Sequence, residues 1–116
     1  MNIQIYVGKK NPDCLKAERF FKERRIPYQL MELKKHRPGP RELAIFVKAA
    51  GSAARLVDRS SAKALEKPVA HMTTESLIIS ELALDPSALV SPIVRNGNEA
   101  TIGADEETWK KWIEKG

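Results

Sequence analysis

Apolar and polar positions alternate through Ile3-Gln4-Ile5 and then run together at Tyr6-Val7, so the first element reads as a strand buried on both faces. A Gly8-Lys9-Lys10 turn leads into a helix from Pro12 to about Arg25. Cys14, Ala17, Phe20, Phe21 and Arg24 fall near one side of it, and Lys16, Glu18, Arg19, Lys22 and Glu23 on the other, an amphipathic pattern. Pro27 stops this helix, and Tyr28-Gln29-Leu30-Met31-Glu32-Leu33 reads as a second strand. A strand–helix–strand unit of this length implies a right-handed crossover and a parallel pair.

Pro38-Gly39-Pro40 opens a second helix reaching about Ala50, with Leu43, Phe46 and Val47 inward and Gly51 as the residue that ends it. From Ser52 to Lys67 the helical pattern weakens to Leu56, Val57, Ala62 and Leu65, broken by a turn at Arg59-Ser60-Ser61. Thr73 or Thr74 caps a better helix that places Leu77, Ile78 and Leu82 on one face and closes at Asp85-Pro86. Ile93-Val94-Arg95 and Ala100-Thr101-Ile102 then read as strands joined through Asn96-Gly97, a hairpin signal. Asp105 caps a closing helix whose inner face is Trp109, Trp112 and Ile113. The order is β-α-β, an inserted helical segment over about residues 40–85, then β-β-α. That predicts an α/β chain with a four-stranded mixed sheet in a thioredoxin-like arrangement, with all 116 residues in one domain.

The apolar (42%) and charged (30%) fractions are those of an ordinary globular protein, and no apolar run approaches the length of a membrane span. The chain opens straight into a strand-like MNIQIYV without a leader pattern, so a cytoplasmic protein with no membrane contact is expected. A net charge of +5 raises nucleic acid as a partner. The one dense basic run, Lys34-Lys35-His36-Arg37, has no interleaved aromatics, which argues against nucleic acid and for a solvated loop. A basic rim still favours an anionic molecule or an acidic protein.

The candidate chemistry lies in the first helical turn. Asn11 is a preferred N-cap, Pro12 suits the first helical position, and Asp13 favours the positive end of the helix. Cys14, the one cysteine, therefore sits at the third helical position, where the helix terminus and Lys9, Lys10 and Lys16 would make a thiol more acidic. It also shares a side with Ala17 and Phe21 and adjoins Asp13, which points it into the core as a small hydrophobe with a raised pKa. Both readings stay open, the second favoured by the helix face. A lone cysteine excludes an internal disulfide and fits a reducing compartment. His36 and His71 stand apart from any cysteine or carboxylate at ligand spacing, so no metal site is expected and both read as solvent-facing loop residues. Arg59 and Arg95 are the arginines to inspect for an anion site.

These residues together resemble the arsenate reductase ArsC / Spx family. The likeness is carried by the strand–Cys14-Leu15-Lys16-Ala17–helix–Ile26-Pro27-Tyr28 block, by Glu42-Leu43, by Leu56-Val57-Asp58-Arg59-Ser60, and by Asp85 through Val94. The resemblance implies a thioredoxin-like fold with a cis Ser91–Pro92 bond close to Cys14. It places Cys14 on the second cysteine of the family's Cys-x-x-Cys, and Asn11 where the family has its attacking cysteine. Ser91 stands where the family has an arginine, and Gly103-Ala104 near another, which leaves Arg59 alone of that oxyanion set. Arsenate reduction is therefore not expected. The function implied is a thiol-based oxidoreductase or redox sensor using Cys14, with Asn11, Arg59, Ser91, Pro92 and Arg95 shaping the groove. The alternative is a non-enzymatic interaction or Spx-like transcription-regulatory module. No cofactor is expected beyond glutathione as a co-substrate. A thiol-redox protein or the transcription machinery is the partner implied, and the chain is expected to be monomeric.

Overall fold

The computed structural model describes residues 1–115. In chain order it contains β1 (Ile3–Val7), α1 (Pro12–Glu23), β2 (Tyr28–Glu32), α2 (Pro40–Ala50), α3 (Ala62–Leu65), α4 (Glu75–Leu84), β3 (Ile93–Asn96), β4 (Glu99–Ile102) and α5 (Glu106–Lys115). The strands form one mixed sheet in the order β2-β1-β3-β4, with β1 parallel to β2 and antiparallel to β3. This is the α/β arrangement expected, with helices inserted between the two halves of the sheet. No helix of the described residues is long and apolar enough to cross a membrane.

The central strand is buried on both faces because its residues feed two cores. Ile3, Ile5 and Val7 point to α1 and α5, where they meet Ala17, Phe21 and Trp109. Tyr6 points the other way, to Leu43 and Phe46 of α2, Leu56, and Ile78 and Leu82 of α4. Trp109 is fully buried, packs at a tilt with ring centroids 5.1 Å from Phe20 and 5.4 Å from Phe21, and donates its indole N–H to Thr101 Oγ1 at 2.8 Å. A buried Trp keeps its polar edge only where such an acceptor exists.

Four details differ from the sequence pattern. The hairpin turns on Gly97-Asn98, with Asn96 paired to Glu99. Gly97 has φ 62°, and Asn98 is not among the positive-φ residues, so the turn is type II′, which requires glycine first. The segment expected to be weakly helical breaks into 3-10 turns at Ala54–Leu56 and Pro68–His71 around the short α3, capped by Ser61. Leu77 does not join Ile78 and Leu82: it is 56% exposed, as α4 offers only the latter two to the core. Arg24 caps α1 rather than entering the core, with its guanidinium 3.7 Å over the Phe20 ring and bonded to the Phe20 carbonyl.

Candidate functional site

Asn11 Oδ1 accepts the backbone N–H of Cys14 at 3.0 Å, satisfying one of the donors a helix start leaves open. Its carboxamide has a second role: Nδ2 donates to the carbonyl of Ser91 at 2.8 Å. Ser91 in turn accepts the Gly8 N–H on its hydroxyl at 2.8 Å. The Ser91–Pro92 bond is cis, as the resemblance implies, and Pro92 is buried. Two loops are thus stapled across the start of α1. The approach is close: a Cβ on Gly8 would lie 3.3 Å from Leu33 and 3.4 Å from Ser91 Oγ.

Cys14 stands at the third helical position but is only 1% exposed. Burial pushes its pKa up, Asp13 and Glu18 add to that, and backbone hydrogen bonding at Asn11 pulls the other way without winning. A thiol with this environment is protonated at neutral pH and is a poor nucleophile.

What opens outward is a basic groove. A cleft of about 240 Å³ is lined by Lys9, Lys10, Asn11, Asp58, Ser60 and Ser91, and Cys14 does not reach it. Lys9 also lines an adjoining cleft with Lys34 and Lys63, and another with Lys34 and Lys35. Two loops and the short α3 thus bring Lys9, Lys10, Lys34, Lys35 and Lys63 to one rim, with Asp58 facing them and Glu32 paired to Lys35 at 3.1 Å. A sixth, Lys67, is held by Asp85 at 2.8 Å and Ser87 at 2.7 Å.

Asn11, Ser91 and Pro92 come together at this site, but the two arginines point elsewhere. Arg59 donates to the carbonyls of Ala54 at 2.8 Å and Ala70 at 3.1 Å, tying the inserted segment together while its neighbours Asp58 and Ser60 line the cleft. Arg95 lies opposite Gln4, toward the far end of β1 from Gly8, and bonds Gln4 at 3.2 Å and the Gly97 carbonyl at 2.7 Å.

Beside Arg95 is a polar cluster that sequence reading missed. Tyr6 Oη donates to Glu42, His36 Nε2 lies 3.1 Å from the same carboxylate, and Glu42 also accepts the Gly39 N–H at 3.1 Å. His36 is therefore half-buried and paired rather than a free loop residue, whereas His71 is exposed and contacts the Leu65 carbonyl at 2.7 Å. The sequence signal was Glu42 three residues after Gly39, the glutamate half of a capping box, with glycine supplying no side chain for the other half.

Burial pushes the Glu42 carboxyl up, but hydrogen bonds from Tyr6, the Gly39 N–H and His36 outweigh it, and the net shift is downward. Asp85 is likewise lowered, first by the Lys67 ammonium and then by Ser87. A carboxyl whose pKa is lower folded than unfolded adds stability above its unfolded value, and that stability is lost as pH falls through the folded one. The urea midpoint should thus hold down to about pH 4.5, the ordinary carboxyl value of Glu42, and fall below it. Glu42→Gln should flatten that acid limb. An unchanged limb would show that the cluster does not couple folding to protons.

No family profile and no curated protein matches the sequence. Solved structures do. An ArsC family related protein from Bacteroides fragilis superposes with a TM-score of 0.75 at 22% identity, covering 96% of this chain and 98% of that one. The arsenate reductase from Vibrio cholerae gives 0.73 at 15% identity, over 95% and 94% of the two chains. An arsenate reductase (ArsC) related protein from Brucella melitensis gives 0.66 at 18%, over 98% and 96%. At these identities the likeness establishes the fold: the chain has the arsenate reductase-like thioredoxin fold over nearly its whole length.

Proposed function

We propose that this chain is a non-enzymatic binding module on an arsenate reductase-like thioredoxin fold. It seats an acidic segment of a protein partner in the lysine-rimmed groove beside Asn11 and Ser91. The observation that carries this reading is the Asn11 carboxamide. It occupies the position that the resemblance gives to the attacking cysteine, and both its polar atoms are spent on the scaffold, one on Cys14 N–H and one on Ser91 O. Thiol exchange would need an exposed, acidic thiol in that cleft, and Cys14 is buried with its pKa raised. The groove itself favours anions, and its lining lacks the aromatic platforms that single-stranded nucleic acid stacks upon. On this reading neither glutathione nor a thiol-redox partner has a role.

Thiol titration of the native protein with an aromatic disulfide at neutral pH tests the chemistry. Cys14 should react at least about a hundred times slower than in the denatured chain, since attack needs an exposed thiolate. Rapid labelling of native protein would return the function to a redox reading. The binding arm uses an unstructured glutamate-rich peptide at low salt. It should shift the amides of Lys9, Lys10 and Ser91, and lose affinity about tenfold or more in Lys9→Glu/Lys34→Glu, because rim charges act through screened attraction. No shift at these amides would sink the module as placed.

A further inference from the structure

A second groove, of about 390 Å³, lies away from Asn11 and Ser91. It is bounded by Ile45 and Lys48 of α2, Ala100 of β4, and Lys111, Trp112 and Lys115 of α5. α2 belongs to the core on one face of the sheet and α5 to the core on the other. A groove that touches both helices must therefore run along the edge of the sheet, and β4 is the terminal strand.

That edge carries unused backbone groups. The two-residue turn makes Asn96–Glu99 the closing hydrogen-bonded pair, and the next such pair is Val94–Thr101. Ala100 and Ile102 therefore turn their N–H and C=O groups away from β3. Among the described residues no loop backbone pairs with them.

We propose that β4 accepts an extended acidic segment of a partner protein as a fifth strand. Main-chain hydrogen bonds to Ala100, which lines the groove, and to Ile102, further along the same edge and outside the groove's lining, would hold the segment, which is how exposed sheet edges recruit peptides. Alternate side chains of a strand point to opposite faces. One set would meet Lys48 on the α2 side, and the other Lys111 and Lys115 on the α5 side, so acidic residues at adjacent positions satisfy both. Glu99 is the one acid lining the groove, against three lysines. A second copy of this chain is the wrong occupant. Antiparallel pairing of β4 with β4 about a two-fold axis sets each lysine group against its own equivalent, a like-charge arrangement that opposes association. This site is independent of the Asn11 groove, and either can fail without the other.

The probe is a blocked hexapeptide of glutamate and valine with acids at adjacent positions, titrated into the isotope-labelled full chain. Binding should shift the Ala100 and Ile102 amides and change Trp112 fluorescence. The same peptide N-methylated at alternate residues cannot donate to the edge, and should bind at least tenfold more weakly. Lys48→Glu/Lys111→Glu changes two exposed residues and should weaken the unmodified peptide at least tenfold while leaving the thermal midpoint unchanged. Equal binding of the N-methylated peptide would reduce the effect to unspecific charge attraction and overturn the proposal. So would shifts confined to Lys9, Lys10 and Ser91, or a concentration-dependent dimer that the peptide does not dissolve.

Discussion

Trp109→Ala should be the most damaging single substitution outside the backbone, lowering stability by about 4 kcal/mol, within the usual cost of deleting a buried aromatic. The residue is fully buried and joins the closing helix to the first one through Phe20 and Phe21. Its removal leaves a cavity that three rigid elements (β1, α1 and α5) cannot collapse around. It also leaves the Thr101 hydroxyl, in a residue only 5% exposed, without its donor. For a domain of this size, total stability is about 5–15 kcal/mol, so a large share would be lost. Trp109→Phe separates the two contributions. It keeps most of the packing and drops the N–H, and should cost about half as much, of which about 1 kcal/mol is the orphaned hydroxyl. Urea unfolding followed by far-ultraviolet circular dichroism measures both. A loss below about 1.5 kcal/mol for Trp109→Ala would mean that α5 is not locked to the core as described.

Much of this architecture was legible in local pattern. The double burial of β1, the facing of α1 and the inward tryptophans of α5 all follow from side-chain period, which the fold then satisfied. So did the first turn of α1, because a cap acts across three residues. The burial of Cys14 was readable from its helix face, against the pull of its position at a helix terminus. The groove was not readable, because its lysines arrive from two loops and a short helix far apart in sequence, and each alone looks like solvated charge. Arg59 stood at the one matching position of an anion site and Arg95 was the other arginine to inspect, yet the carbonyls of Ala54 and Ala70 claim the first and the Gln4 side chain and the Gly97 carbonyl the second. His36 gave no local sign of pairing, since its partner Glu42 meets it only once Tyr6 brings the sheet to α2. The Asn-Gly dipeptide marked the hairpin correctly but not its register, because glycine serves equally in the first or second turn position.

Asn11→Ala is expected to cost about 2 kcal/mol, twice what a helix cap alone would lose. The cap bond to Cys14 N–H contributes about 1 kcal/mol. The second bond reaches across the fold to the carbonyl of Ser91, and leaving a half-buried carbonyl unpaired costs about 1 kcal/mol more. The conservative variants distinguish these terms. If capping were the whole role, Asn11→Ser would be neutral, because serine caps nearly as well. Serine lacks the amide donor, however, so Asn11→Ser should still lose about 1 kcal/mol. Asn11→Asp keeps the acceptor and favours the helix terminus, but sets a carboxylate oxygen against the Ser91 carbonyl, and should be no more stable than the serine variant. Thermal midpoints should fall by about 8 °C for alanine and about 4 °C for serine, at the scaling usual for a domain near this length. A serine variant as stable as the parent would show that the staple between α1 and the Ser91–Pro92 loop carries no energy. The position would then be free to accept a different side chain at no cost to the fold.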